Sequence, residues 1–325
     1  MGKIRIVETA SYVPSKTVSN DELSHLMDTS DEWISARTGI KRRHISIGEN
    51  TSDLCTKVAQ RLLDQSGWSA ESLDMIIVAT MSPDSYTPST AAIVQGNIAA
   101  SKAFCFDISA ACSGFVYGLD VAARFLAGKK AMRTMLIGGE VLSKVIDWQD
   151  RSTAVLFGDG AAGVLLENKQ TAASEILASV LKTYGAQHDK LAAGKTMPLS
   201  EFPPQKSTVL HPFEMDGQAV YKFATHAVPE SINEACDQAG ISVEDVDLFV
   251  LHQANARIVK AIAKRMKQPQ DKFPINIAEY GNTSAASEPI LLDELVKKEQ
   301  LKRGQIVVLS GFGGGLTVGT QVIKF

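Results

Sequence analysis

Three side chains in this sequence could do chemistry together: a thiol, an imidazole and a carboxamide. Cys112 sits in D-I-S-A-A-C-S-G-F-V-Y-G, residues 107–118, framed by Ala110, Ala111, Ser113 and Gly114. Small neighbours let a ligand approach the backbone closely. A thiol at a helix N-terminus meets the positive end of the helix dipole and unpaired N–H groups. Both favour thiolate, and the same N–H groups can hold an oxyanion. His252 directly follows an apolar run at 248–251, and Asn282 lies in G-N-T-S-A-A-S after Tyr280. A histidine at the carboxyl end of a strand stands where α/β sheets present their ligands. A Cys/His/Asn set serves two chemistries. One is papain-like hydrolysis, with the amide orienting the imidazole. The other is acyl transfer, in which the thiol carries an acyl group as a thioester. The imidazole and amide would then both donate to one carbonyl oxygen and stabilise the enolate left when a carboxylate departs as CO2. The sheltered, small-residue surroundings of Cys112 suit the second chemistry, because a thioester must be kept from water until a carbon nucleophile arrives.

The elements that must position these groups are legible in outline. Phe104, Phe106 and Ile108 alternate as in a strand running into a core. Phe115, Val116, Leu119, Ala122, Ala123, Phe125 and Leu126 recur at helical spacing on more than one face, as in a buried helix. Residues 52–66 read as an amphipathic helix with Leu54, Val58 and Leu62 in a stripe and Cys55 beside it. Residues 75–79 and 134–137 read as buried strands. A helix opens near Ser19–Asn20, and Lys41, Arg42 and Arg43 form a basic run that suits a solvated turn.

The second half repeats the first. D-Q-S-G-W-S-A-E-S-L-D-M-I-I-V-A-T from Asp64 matches D-Q-A-G-I-S-V-E-D-V-D-L-F-V-L-H-Q from Asp237, an offset of 173. S-A-A-C-S at 109–113 resembles S-A-A-S at 284–287, which sets Ser287 at the place of Cys112. F-G-D-G-A-A-G-V-L-L-E from Phe157 resembles the chain's end from Phe312. Each unit alternates helix with apolar strand, which implies α/β layers, and the repeat is too long for a solenoid. We divide the chain into halves at 1–170, carrying the thiol, and 171–325, carrying the imidazole and amide. The stretch 168–215, with Pro198, Pro203 and Pro204, reads as a less regular connection with some elements of its own.

Bulk composition excludes several classes. The chain has 325 residues, a net charge of −3 and four cysteines without paired spacing. No global basic field attracts nucleic acid, and neither a disulfide framework nor a metal knuckle is indicated. No apolar run reaches the roughly 20 residues of a membrane span, and the N-terminus lacks the apolar core of a signal peptide. A reduced cytoplasmic location is expected, with no nucleic acid and no membrane among the partners. F-G-D-G and G-F-G-G-G lack the Lys-Ser/Thr of a phosphate loop.

A-A-C-S-G-F, D-R-S-T-A-V-L-F-G-D-G-A, H-Q-A-N-A-R-I, G-N-T-S-A-A-S and G-F-G-G-G occur in order over nearly the whole chain. Together they resemble the β-ketoacyl-acyl carrier protein synthase III family, the initiating condensing enzymes of type II fatty acid synthesis. The resemblance implies a thiolase-like fold: duplicated α/β halves, two five-stranded sheets, and a layered α-β-α-β-α architecture. It implies decarboxylative condensation of a short acyl-CoA primer with malonyl-acyl carrier protein, giving 3-oxoacyl-acyl carrier protein, CO2 and CoA. Coenzyme A is then a substrate thioester, no cofactor or metal is needed, and a homodimer is expected. Cys112 matches the nucleophile, and His252 and Asn282 match the enolate-stabilising pair. The N–H groups of Cys112 and Gly314 match the oxyanion hole. Trp33, Arg37, Thr38 and Arg151 match positions around the CoA nucleotide, where aromatic stacking and guanidinium–phosphate pairing do the binding. Arg151 could equally serve a structural salt bridge. Asn255 matches a position near the pantetheine arm. Gln253, Ala254, Asn255 and Ala256 lead into a helix on which Arg257, Lys260 and Lys264 share a face; these seven residues are the expected surface for an acidic carrier protein. Thr87, before Pro88, stands where some family members place a bulky aromatic that limits the primer pocket, so primers longer than acetyl are expected. The rival readings are another thiolase-fold acyltransferase of polyketide or hydroxymethylglutaryl-CoA type, a cysteine thioester hydrolase, and a non-catalytic scaffold.

Overall fold

The computed structural model describes residues 4–127, 132–168, 175–199, 202 and 210–325. The first half builds a mixed five-stranded sheet from β1 (Ile4–Tyr12), β2 (Met75–Ala79), β3 (Phe104–Ile108), β4 (Arg133–Glu140) and β5 (Gly160–Asn168), in the order β1-β5-β4-β2-β3. β2 runs parallel to β3 and β4, and β5 runs antiparallel to β4 and β1. The second half builds β6 (Glu175–Thr183), β7 (Leu248–Leu251), β8 (Ile306–Gly313) and β9 (Thr317–Lys324), in the order β7-β8-β9-β6. The sense of pairing matches the first sheet: β7 parallel to β8, and β9 antiparallel to β8 and β6.

Strand and helix periodicity explain the layering. Met75 and Ile77 of β2 join one apolar cluster, while Ile76 and Val78 join another, so both faces of the strand are covered. The first cluster lies between the sheets and mixes the halves. It contains Phe115, Val116 and Leu119 of α1 (Gly114–Leu126), Leu291, Leu292 and Leu295 of α2 (Ser287–Lys297), and strand residues of both sheets such as Leu136 and Leu309. The outer face of the first sheet is covered by the helix Thr51–Ser66, whose buried stripe is Leu54, Val58 and Leu62, with Cys55 beside it. The outer face of the second sheet is covered by the helices Gly217–Ala239 and Ala256–Met266. Helix, sheet, helix, sheet and helix thus follow one another.

The 173-residue offset holds in three dimensions, and it corrects one alignment. Ala111 and Ser284 share a left-handed backbone, with φ 46° and 48°. Gly114 and Ser287 begin the two central helices. Cys112 therefore corresponds to Ala285, not to Ser287, because the S-A-A match slips the register by two. The inner sheet positions also correspond. A Cβ on Gly138 would lie 2.1 Å from the Ala285 carbonyl oxygen, and one on Gly311 would lie 2.8 Å from Ser113 Cα. Each half thus needs a bare backbone in its sheet to admit the other half's turn.

Three further expectations change, and the stretch between the halves carries elements as expected. The second sheet has four strands among the described residues, since a helical turn, Ile277–Tyr280, takes the place of a counterpart to β3. The stretch 168–215 supplies β6, a full sheet strand, besides the short elements Gly185–Lys190 and Leu191–Ala192. Pro203 and Pro204 lie outside the described residues, as does the 170/171 boundary. β3 is an edge strand, so Phe104 is 48% exposed rather than entering the core. Arg43 is not part of a solvated turn. It is buried, and donates to Asn20 Oδ1 and the Val155 carbonyl, both at 2.8 Å.

Candidate active site

Cys112, His252 and Asn282 all line one cavity of about 550 Å³. The two halves deliver them from different elements. β3 runs into the single turn Ala111–Ser113, which carries the thiol onto the first turn of α1. β7 ends at Leu251, so His252 projects from a strand's carboxyl end, its N–H donating to the Ser310 carbonyl at 2.9 Å. Asn282 is pinned through its backbone: its N–H donates to the Leu156 carbonyl at 2.8 Å, and its carbonyl accepts from Gly158 at 3.0 Å. The first half's F-G-D-G segment thereby holds the second half's amide.

The thiol is buried, and burial pushes its pKa up to about 12, with the nearby Glu288 and Glu140 carboxyls adding to the rise. Desolvation outweighs the helix terminus, so the ligand-free thiol is un-ionised, contrary to the thiolate expected from its position. His252 is buried as well, edge-on to Phe312 at 5.1 Å. Burial pulls its pKa down to about 3, which makes it a neutral imidazole. Its Nδ1 lies 2.6 Å from Ser287 Oγ, and its Nε2 has no hydrogen-bond partner among the described residues. Asn282 Oδ1 accepts from the Ser284 N–H at 2.9 Å, which fixes the amide with its NH2 group unpaired among the described residues. The amide does not orient the imidazole, as a papain-like arrangement requires; Ser287 does.

Gly313 closes the wall beside the thiol: a Cβ there would lie 2.7 Å from the Cys112 nitrogen. Gly314 follows it and packs against Ala111 and Leu191, and is not among the cavity's lining residues.

Trp33, Arg37, Thr38 and Asn255 line the cavity. The Arg37 and Arg151 guanidinium carbons lie 4.6 Å and 5.4 Å from the Trp33 ring centre, so an aromatic face and two cations are gathered at one rim. Arg151 also donates to the Asp28 carbonyl at 2.6 Å and lies 3.3 Å from its carboxylate. The Thr38 hydroxyl donates to the Ile34 carbonyl and accepts from Ile40 N–H. Asn255 caps the helix Ala256–Met266 and donates to the Arg37 carbonyl, tying the mouth's two sides together.

The expected carrier-protein surface divides. Arg257, Lys260 and Lys264 are exposed, opposite the buried Ile258, Val259, Ile262 and Ala263. None of the three is in an ion pair found among the described residues. Gln253 and Ala256 cannot contribute, because both are buried. Gln253 donates to the Leu251 carbonyl and accepts from the Asn276 N–H, and Ala256 Cβ packs on Gly39. Ala254, half-buried, lines the cavity, as does the exposed Arg257. Thr87 is exposed and is not among the cavity's lining residues. Among the described residues no group of three or more His, Cys, Asp or Glu side chains could hold a metal ion, and no helix is long and apolar enough to cross a membrane.

Ser287, which the sequence marks only as the apparent counterpart of Cys112, is the histidine's partner. Sequence reasoning missed Leu191, Phe213, Met215 and Tyr221, which line the cavity. They come from the connection between halves and from the helix after it, where no repeat partner flags them.

A duplicated, five-layered α/β fold with a buried thiol facing a neutral imidazole and a free amide defines a thiolase-fold condensing acyltransferase. Residues 106–185 match the family described as 3-oxoacyl-[acyl-carrier-protein (ACP)] synthase III, and residues 236–325 match its C-terminal part. The chain is 56% identical over 325 residues to the β-ketoacyl-[acyl-carrier-protein] synthase III of Limosilactobacillus reuteri, covering 100% of both, and 54% identical to that of Lactobacillus helveticus, covering 99% and 98%. The crystal structure of 3-oxoacyl-[acyl-carrier-protein] synthase III from Aquifex aeolicus superposes with a TM-score of 0.91 at 39% identity, over 99% of this chain and 100% of that one. The chain belongs to the β-ketoacyl-[acyl-carrier-protein] synthase III family, and its activity is the initiating condensation of fatty acid synthesis.

Proposed function

We propose that Cys112, His252 and Asn282 divide the reaction between an acyl carrier and an enolate clamp. Cys112 sulfur attacks the carbonyl of a short acyl-CoA. The N–H groups of Cys112 and Gly314 hold the resulting oxyanion, and CoA leaves with the thiol proton. The malonyl thioester of acyl carrier protein then binds with its carbonyl oxygen between His252 Nε2–H and the Asn282 NH2. Its carboxylate leaves as CO2, and the bonding pair remains as an enolate that the two donors stabilise. The enolate carbon attacks the acyl-Cys112 carbonyl and expels the thiolate, which takes up a proton. Coenzyme A enters as a substrate thioester and not as a cofactor.

The observation that carries this reading is the Asn282 amide, whose oxygen is held by Ser284 while its NH2 group is left unpaired among the described residues. An orienting amide would spend its oxygen on the histidine; a clamp needs a free donor. Mass spectrometry after mixing with acetyl-CoA tests the first half, with one acyl group expected on the Cys112 peptide and none in Cys112→Ala. Adding malonyl-acyl carrier protein should then release CO2 and give a 3-oxoacyl product. Release of free acid in place of carbon–carbon bond formation would turn the reading toward a thioester hydrolase.

The same reading assigns the CoA nucleotide to Trp33, Arg37 and Arg151, and the acidic carrier protein to Arg257, Lys260 and Lys264. It includes a homodimer. Supporting it, β3 has no neighbour on one side among the described residues, and Phe104 and the 43% exposed Phe125 pack there at a tilt with ring centres 5.8 Å apart. An aromatic edge of this kind invites a second copy. Thr87, exposed here, would face the partner's cavity, and its small side chain would admit primers longer than acetyl; a primer panel with turnover confined to acetyl-CoA would overturn that. A cytoplasmic location fits four free cysteines.

A further inference from the structure

Glu288 is the group in the site that the reaction scheme leaves without a task. It opens α2 directly after Ser287 and is fully buried between the halves. One carboxyl oxygen, Oε2, lies 2.9 Å from Ser287 Oγ. The other, Oε1, has no hydrogen-bond partner among the described residues, and a Cβ on Gly311 would lie 2.4 Å from it. Ser287 Oγ is thus surrounded by three polar atoms: Glu288 Oε2, His252 Nδ1 at 2.6 Å, and the Gln253 N–H at 3.3 Å.

A serine hydroxyl has one proton and two lone pairs. The Gln253 N–H takes one lone pair. The remaining proton and lone pair must be shared between the imidazole and the carboxyl, and two arrangements satisfy all three atoms without stranding an acid proton on Oε1, which has no acceptor among the described residues. If Glu288 is ionised it can only accept, so the serine proton points to it. Nδ1 must then carry the imidazole proton, and Nε2 presents a lone pair to the cavity. If Glu288 is un-ionised, its proton occupies the serine lone pair and the serine proton goes to Nδ1. Nε2 then carries the imidazole proton and faces the cavity as a donor.

We propose that Glu288 is held as the neutral acid and is a positioning residue, setting His252 through Ser287 as the Nε2–H tautomer that can donate to a substrate carbonyl. Isolation favours this state: a buried carboxylate with no cation paired to it and one unpartnered oxygen among the described residues is costly, and a neutral acid is less so. Burial raises the Glu288 pKa well above the carboxylate range, in the same direction. The idea rests on the role given to His252 above, but the two fail separately. His252→Ala retaining condensation would sink that role, whereas the tautomer reports on Glu288.

The test is the 15N spectrum of histidine-labelled enzyme at neutral pH, with the His252 signals assigned by their loss in His252→Ala. The expected result is a proton on Nε2 and a bare Nδ1. Infrared difference between the native enzyme and Glu288→Gln should show one un-ionised carboxylic acid lost. Glu288→Gln, whose amide can still donate to Ser287, should keep kcat within about twofold and the same His252 signals. Ser287→Ala should lose kcat on the order of ten- to a hundredfold, with KM for malonyl-acyl carrier protein nearly unchanged. A His252 proton on Nδ1 in the native enzyme would overturn the proposal, whatever the variants do. So would the absence of the acid band, or a Glu288→Gln defect as large as that of Ser287→Ala.

Discussion

Asn282→Asp separates the two half-reactions. The substitution is isosteric, and the new side chain can still accept the Ser284 N–H bond that fixes the native amide at 2.9 Å. The turn should therefore hold, and the thermal midpoint should change little. What disappears is the NH2 group, the donor left free in the cavity. Removal of one oriented oxyanion donor costs about 2.7–4 kcal/mol, or roughly 10²–10³ in rate. Above the carboxyl's pKa the aspartate cannot donate at all, so at pH 8 condensation should fall by at least this factor. Acylation of Cys112 by acetyl-CoA should stay within about threefold, because that oxyanion is served by other donors. As pH falls through the aspartate's pKa, the acid regains a proton and condensation should partly return. Stopped-flow acylation and single-turnover release of CO2 from pre-acetylated enzyme measure the two steps independently. Condensation at pH 8 above a tenth of the native rate, or equal losses in both steps, would refute the assignment of Asn282 to the enolate.

Three other outcomes follow from the geometry. With a thiol pKa near 12, the alkylation rate of Cys112 in ligand-free enzyme should climb about tenfold per pH unit from 7 to 10, without a plateau; levelling below pH 8 would show an ionised resting thiol. Trp33→Ala removes the aromatic face at the cavity rim, and loss of one stacking platform is worth roughly 1–3 kcal/mol, so KM for acyl-CoA should rise about ten- to hundredfold with less change in kcat. Reversing the charges of Lys260 and Lys264, which do not line the cavity, should raise KM for malonyl-acyl carrier protein by roughly tenfold at low salt, an effect that shrinks as salt screens it, with acetyl-CoA kinetics unchanged.

The sequence carried the order of the halves and the residues at their seams because duplication leaves paired signals. Ala79 against His252 marks a strand end that gained a function, and the apolar runs at 75–79 and 248–251 share a period. Slips occurred where the paired signal was short: S-A-A is too brief to fix register, so Ser287 was set opposite Cys112 when the backbone puts Ala285 there. Burial was the other blind spot. Gln253 and Ala256 sit between lining and surface residues, and a motif cannot tell which of four consecutive positions turns inward. The thiol's ionisation failed for a related reason. A helix terminus can be inferred from neighbours in the chain, whereas burial, and the charge of a carboxyl such as Glu288 from the far half, come only with the fold.

The duplicated scaffold explains how one cavity came to hold unlike groups. At the 173-residue offset, Cys112 faces Ala285 in the other half, His252 corresponds to Ala79, Asn282 to Ser109, and Ser287 to Gly114. At each of the four positions one half has a small residue while the other carries the thiol, imidazole, amide or hydroxyl of the site. Both halves must keep small residues where the other half's turn passes, as Gly138 and Gly311 do. A symmetric pair of thiols would need two acyl pockets in the space of one. On the proposed roles, a thiol from one half and a clamp from the other bring the acyl group and the enolate into a single cavity, as forming a carbon–carbon bond requires. It follows that placing a second thiol by Ala285→Cys should yield no second acylation site. Ala285 is fully buried behind the Gly138 backbone, outside the cavity that Cys112 lines. Two acyl groups per chain after incubation with acetyl-CoA would break the asymmetry argued here.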